Sequence, residues 1–168
     1  MMQVAASEFE ALLKRAARGA GHCIGHSEDF ANAVLALHRA GEPGADLGLA
    51  ELRKPVRQPT FANGVLHGDN AVTLAPSALD LAPVALTGDF SRDLLAGYLL
   101  TRPGFQQVEV SGTVHLRPGE TTMAGRADPP FDVGEDTWTA LIEMSQAMLV
   151  PTTAASQADA GSQLSDND

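Results

Sequence analysis

Val65-Leu66-His67-Gly68-Asp69-Asn70-Ala71-Val72-Thr73-Leu74 is the stretch where a helical opening gives way to a different texture. Apolar and β-branched residues flank Gly68-Asp69-Asn70, a run of turn formers, so Val65–His67 and Ala71–Leu74 read as short strands. Pro55, Pro59, Pro76 and Pro83 punctuate the region, and Val84–Thr87 reads as a further strand. Gln107–Leu116 reads as a strand pair. Val108 and Val110 alternate with polar residues, Ser111-Gly112 turns the chain, Val114 and Leu116 follow, and Pro118-Gly119 ends the unit.

Helical patterns stand on both sides of these strands. Ser7-Glu8-Phe9-Glu10 has the form of a capping box, with Ser7 at the N-cap and Glu10 three residues on. Phe9, Leu12, Leu13, Ala16 and Ala17 then share a helical face, and Gly19 and Gly21 end the helix. A second helix is expected from Ser27 to Arg39, with Ser27 as its cap and Phe30, Val34, Leu37 and His38 on one face. The two make a helical hairpin, and a short turn of helix is expected over Asp46–Leu52. Ser91–Leu100 carries an apolar stripe of Leu94, Leu95, Tyr98 and Leu99. A last helix is expected over Asp136–Leu149, with Trp138, Leu141, Ile142, Ser145 and Leu149 on one side. Helices at both ends around a central short-stranded antiparallel or mixed sheet give an α+β fold. Residues 1–151 are expected to form one domain, and 152–168 a polar, acidic tail too poor in large apolar side chains to fold alone.

Charge narrows the partners. Eleven basic residues face 21 acids, for a net charge of −10, and residues 127–168 contain no Lys or Arg. Nucleic acids and anionic membrane surfaces both recruit clustered cations, so neither is expected as a partner. With Cys23 the only cysteine, no internal disulfide can form, and a cytoplasmic location is expected. The start of the chain is not read as a signal peptide. Aromatic residues are few, so Ala, Leu and Val must do most of the packing, which calls for close helix contacts.

Ala16-Ala17-Arg18-Gly19-Ala20-Gly21, followed by Gly25 and Glu28, resembles the opening of an uncharacterised bacterial family catalogued as a domain of unknown function. The ending Leu164-Ser165-Asp166-Asn167-Asp168, with Val150-Pro151 upstream, resembles the end of the same family. Gln157 stands where the family pattern has Arg. The resemblance implies a cytosolic bacterial protein and supplies no reaction.

Four places could carry chemistry. His67-Gly68-Asp69-Asn70 offers an imidazole and a carboxylate in one turn, the parts of a general base and its orienting acid, and His115 on a later strand is a third catalytic candidate. Arg53-Lys54-Pro55-Val56-Arg57 is the one basic cluster, and Arg53 and Arg57 are candidates to receive a ligand carboxylate or the chain's own tail. Asp166, Asn167 and Asp168 concentrate negative charge at the terminus and could bind a ligand. His22, Cys23 and His26 have the spacing of half a zinc site, but no second Cys/His pair follows. No metal or other cofactor is expected, and no G-x-S-x-G, P-loop or H-E-x-x-H motif occurs. The leading reading is a small-molecule metabolic enzyme of bacterial catabolism with a His/Asp-based site. The alternative is a non-catalytic accessory subunit or ligand-binding partner of another enzyme. A homo-oligomer is compatible with either.

Overall fold

The computed structural model describes residues 1–123 and 125–148. Its elements run β1 (Met2–Val4), α1 (Ala6–Gly19), α2 (Ile24–Arg39), α3 (Gly44–Leu52), β2 (Thr60–Ala62), β3 (Val65–His67), α4 (Ala71–Leu81), β4 (Val84–Thr87), α5 (Arg92–Thr101), β5 (Gly104–Val110), β6 (Thr113–Gly119), β7 (Phe131–Val133) and α6 (Glu135–Gln146). The fold is α+β, with three helices after the short β1 and one helix closing the described elements.

The larger sheet has the order β2-β3-β4-β6-β5. Its pairs are antiparallel except β3 and β4, which run parallel and are joined through α4. Two tight hairpins build its ends. Asn63-Gly64 joins β2 to β3 and Ser111-Gly112 joins β5 to β6, and all four residues have positive φ. A turn of that hand matches the twist of the strands it links. Leu66, Val84, Leu86, Val114 and Leu116 share the buried face, while Val65, His67, Ala85, Thr87 and His115 face outward.

Close helix packing follows from small side chains. A Cβ on Gly97 would stand 2.7 Å from the Ala33 carbonyl oxygen, so α5 lies against the α2 backbone. Gly48 of α3 likewise receives the Phe30 ring and Val34. The expected faces of α1, α2 and α5 are all buried. In α6 Trp138 and Leu141 are buried but Ile142 is exposed, and Leu149 lies outside the described residues.

Three local expectations need correction. Ser7 is not a cap: α1 starts from Ala5 with no side-chain cap, because β1 pairs with β7 and delivers the chain into the helix earlier. Ser27 is not a cap either. α2 begins at Ile24, and the Ser27 hydroxyl donates back to the Cys23 carbonyl at 2.8 Å. Ala71–Leu74 is not a strand but the start of α4, where Asn70 accepts the Val72 amide at 2.9 Å. A side-chain cap of that kind turns β-branched Val72 and Thr73 into first-turn helix residues.

Candidate functional site

The parallel strands β3 and β4 end alike. His67-Gly68-Asp69 leads into α4, and Thr87-Gly88-Asp89 leads into α5. The two turns lock together. The Gly68 amide donates to the Thr87 carbonyl at 3.0 Å, and the Asp89 amide donates to Asp69 Oδ1 at 3.0 Å. Gly88 is held at φ +124°, and a Cβ there would collide with the Gly68 carbonyl, so only glycine fits.

Beneath both turns lies Glu51, 2 % exposed, in the last turn of α3. Its Oε2 accepts the Ala71 amide at 2.5 Å and its Oε1 accepts the Ser91 amide at 3.2 Å. One buried carboxylate therefore serves the starts of two helices, where orphan amides and the helix dipole favour negative charge. Oε1 also pairs with Lys54 Nζ at 2.6 Å, and Nζ donates to the Asp89 carbonyl at 2.5 Å. Asn70 Nδ2 donates to the Glu51 carbonyl at 3.2 Å, which ties the β3 turn to α3 a second time.

Above this frame opens a cavity of about 340 Å³ lined by Lys54, Pro55, Arg57, Asp69 and Asp89. The basic cluster and both Gly-Asp turns meet there. Arg57 is exposed and makes no ion pair among the described residues, while its carbonyl is anchored by the Thr73 hydroxyl at 2.8 Å. Lys54 is largely spent on Glu51 and Asp89. His67 stands at the rim, its side chain 57 % exposed, with Nε2 3.9 Å from Asp69 Oδ1 and Nδ1 3.2 Å from Thr87 Oγ1. At that separation His67 and Asp69 are not hydrogen-bonded.

Other sequence candidates fall elsewhere. Arg53 is exposed at the end of α3 and does not line the cavity. His115 shares the outward face of the sheet, but sits opposite Ala85 and lines a separate hollow of about 230 Å³ with Gly64 and Arg117. Asp166, Asn167 and Asp168 lie outside the described residues. His22 is buried with neither ring nitrogen hydrogen-bonded, and burial, with His26 nearby, lowers its pKa to about 4. Cys23 is exposed, and among the described residues no three His, Cys, Asp or Glu side chains gather to hold a metal.

Glu51 and Asp89 escaped the sequence reading. Asp89 had a signal: Gly-Asp recurs after each parallel strand, at 68–69 and 88–89. Glu51 had a fainter one, a lone acid inside the apolar run Leu49-Ala50-Glu51-Leu52.

No curated protein and no solved structure matches the chain. Residues 4–77, which contain Glu51, Lys54, Arg57, His67 and Asp69 and stop short of Asp89, match the family described as "Protein of unknown function (DUF3726)".

Proposed function

We propose that the protein binds a small anionic metabolite in the cavity at the carboxyl ends of β3 and β4, and acts on it by proton transfer. The observation that carries this reading is the meeting of Arg57, Lys54, Asp69 and Asp89 around one cavity from three separate chain segments. The carboxyl ends of parallel strands are where open α/β sheets collect ligands. Arg57 takes the ligand's carboxylate or phosphate by charge-assisted hydrogen bonds. Asp69 and Asp89 select a hydroxyl or ammonium group on the same molecule. His67, with Asp69 beside Nε2, is the proton carrier.

A thermal-shift screen of hydroxy acids, amino acids and phosphate monoesters tests the binding. One class should raise the melting temperature, and Arg57→Ala and Asp69→Asn should abolish the rise. No stabilisation by any class, or a rise that Arg57→Ala leaves intact, sinks the reading. Turnover of the stabilising compound in D2O, followed by NMR, then separates an enzyme from a binding protein. An enzyme loses turnover but keeps binding in His67→Gln; an accessory ligand-binding subunit shows no turnover at all.

A further inference from the structure

β5 stands at one edge of the larger sheet, with no strand beyond it among the described residues. Proteins usually blunt such an edge with proline, lysine, a bulge or a very short strand. β2, the opposite edge, is three residues long and follows Pro59. β5 has none of these guards. It runs for seven residues, Gly104-Phe105-Gln106-Gln107-Val108-Glu109-Val110, without proline or lysine. Its register to β6 is unbroken from Gly104 to Val110, so no bulge turns it aside.

The hairpin fixes which backbone groups are left over. Ser111 and Gly112 both have positive φ, so this two-residue turn follows a hydrogen-bonded pair, Val110 and Thr113. Such pairs alternate along an antiparallel ladder. Gln106 and Val108 therefore bond β6, while Phe105, Gln107 and Glu109 direct N–H and C=O away from it. The Thr121 hydroxyl takes the Phe105 carbonyl at 3.1 Å, and nothing among the described residues takes the backbone of Gln107 or Glu109. Charge sorts the side chains of the same strand. On the helix side Glu109 pairs with Arg92 at 3.5 Å, and Gln107 Nε2 donates to the Arg92 carbonyl at 3.0 Å. On the uncovered side Gln106, Val108 and Val110 stand beside Thr113, His115 and Arg117, with no acid.

We propose that β5 pairs antiparallel with β5 of a second copy of this chain, about a two-fold axis at Val108. Gln107 then lies opposite the partner's Glu109, and Glu109 opposite the partner's Gln107, each pair exchanging two backbone bonds. The pairing stops short of the Phe105 carbonyl that Thr121 already occupies. Self-complementary charge favours a second copy as the occupant. A chain of net charge −10 repels its own copy wherever unpaired acids face each other. Here the one acid is brought beside the partner's Gln107, whose side chain holds the partner's Arg92 and the start of its α5. Each Glu109 thus gains a second cation and a helix amino end, and no two carboxylates stand directly opposite. Val108 meets the partner's Val108 on the uncovered side. The contact is small, so the dimer is a weak one.

Sedimentation equilibrium of the full chain, from about 10 μM to about 1 mM, is the test, because a contact this small gives a dissociation constant in that range. The wild type should pass from monomer to dimer. Amide exchange at Gln107 and Glu109 should slow as the dimer forms, while Val108, already bonded to β6, stays equally protected throughout. Glu109→Pro removes an outward N–H and leaves the ladder to β6 intact, so the fold should survive and the dimer weaken by roughly tenfold or more. Val108→Lys sets two cations together at the axis and should act alike through a side chain. Phe61→Lys, on the opposite edge strand, should change nothing. The proposal is overturned by a wild type that stays monomeric to about 1 mM. It is equally overturned by a dimer that Val108→Lys leaves undiminished, or by one that Phe61→Lys abolishes.

Discussion

The cavity of Lys54 and Arg57 and a second hollow of about 500 Å³ stand at opposite ends of α3, a helix of nine residues; the first sets two cations beside Asp69 and Asp89, while the second is lined by Glu42, Asp46, Asp128 and Asp132 with no Lys or Arg. Lys54 and Arg57 follow its C-terminus, where exposed carbonyls favour cations, and Asp46 sits in its first turn, where amides favour anions. A net charge of −10 conceals this sorting. The ends also differ in how firmly they are held. At the C-terminal end a buried carboxylate pins two strand–helix turns and a lysine together. At the N-terminal end the four carboxylates are exposed, and no buried carboxylate ties them together, although the Thr137 hydroxyl donates to Asp46. A preorganised cleft is suited to chemistry.

Breaking the pinned end should cost most. Glu51→Ala strands Lys54 and the amides of Ala71 and Ser91, and should destabilise by about 3–5 kcal/mol in chemical denaturation. A loss under 1 kcal/mol would show that Glu51 is not the anchor. Gly88→Ala forces a Cβ into the Gly68 carbonyl at positive φ, and should cost about 2 kcal/mol while shifting the Asp69 and Asp89 amide resonances. An unshifted spectrum would mean the turns are not locked.

Acid should act away from the pinned end, through the buried imidazoles. The folded pKa of His22 lies near 4, below its ordinary 6.5, so the fold excludes the charged ring. Its contribution is complete above about pH 6.5 and is lost as the pH falls toward 4. Burial lowers the pKa of His38 too, although Asp46 opposes it. Across that window the wild type should lose a few degrees of melting temperature more than His22→Leu does. Parallel profiles would show that His22 does not titrate with folding.

The smallest effects concern caps. Ser91 Oγ accepts the Leu94 amide at 3.0 Å, so Ser91→Ala should cost about 1 kcal/mol. Ser7 caps nothing, so Ser7→Ala should stay within about 0.5 kcal/mol of wild type. Equal denaturation midpoints for the two variants would contradict this contrast.

What the sequence disclosed follows from how local each cause is. Val65–His67 and Val84–Thr87 were legible to the residue, because glycine and proline bound them. Asn63-Gly64 was an equally local hairpin signal, yet β2 was not read from it. β1 and β7 were out of reach, since Met2–Val4 becomes a strand only against Phe131–Val133. That distant pairing also moved the start of α1 and left Ser7-Glu8-Phe9-Glu10 a misleading signal. Pro76 and β-branched Val72 and Thr73 argued against a helix at Ala71, whereas burial of Val72, Leu74, Ala75 and Ala78 sustains one. At the site, His67, Asp69 and the Arg53–Arg57 cluster were nameable from residue type. That Arg57 joins Asp69 while His115 and Arg53 stand apart depends on strand order and on the Glu51 frame. Neither leaves a local pattern.

Arg57 and the two Gly-Asp turns are proposed to form one anion site. Its most direct test is an amide NMR titration of the full chain with the compound that stabilises it most in the thermal screen. Saturable shifts are expected at Arg57, Gly68, Asp69, Gly88 and Asp89, with residues 127–134 around the acidic hollow unmoved. Shifts confined to residues 127–134, or turn resonances that stay still at saturation, would contradict it.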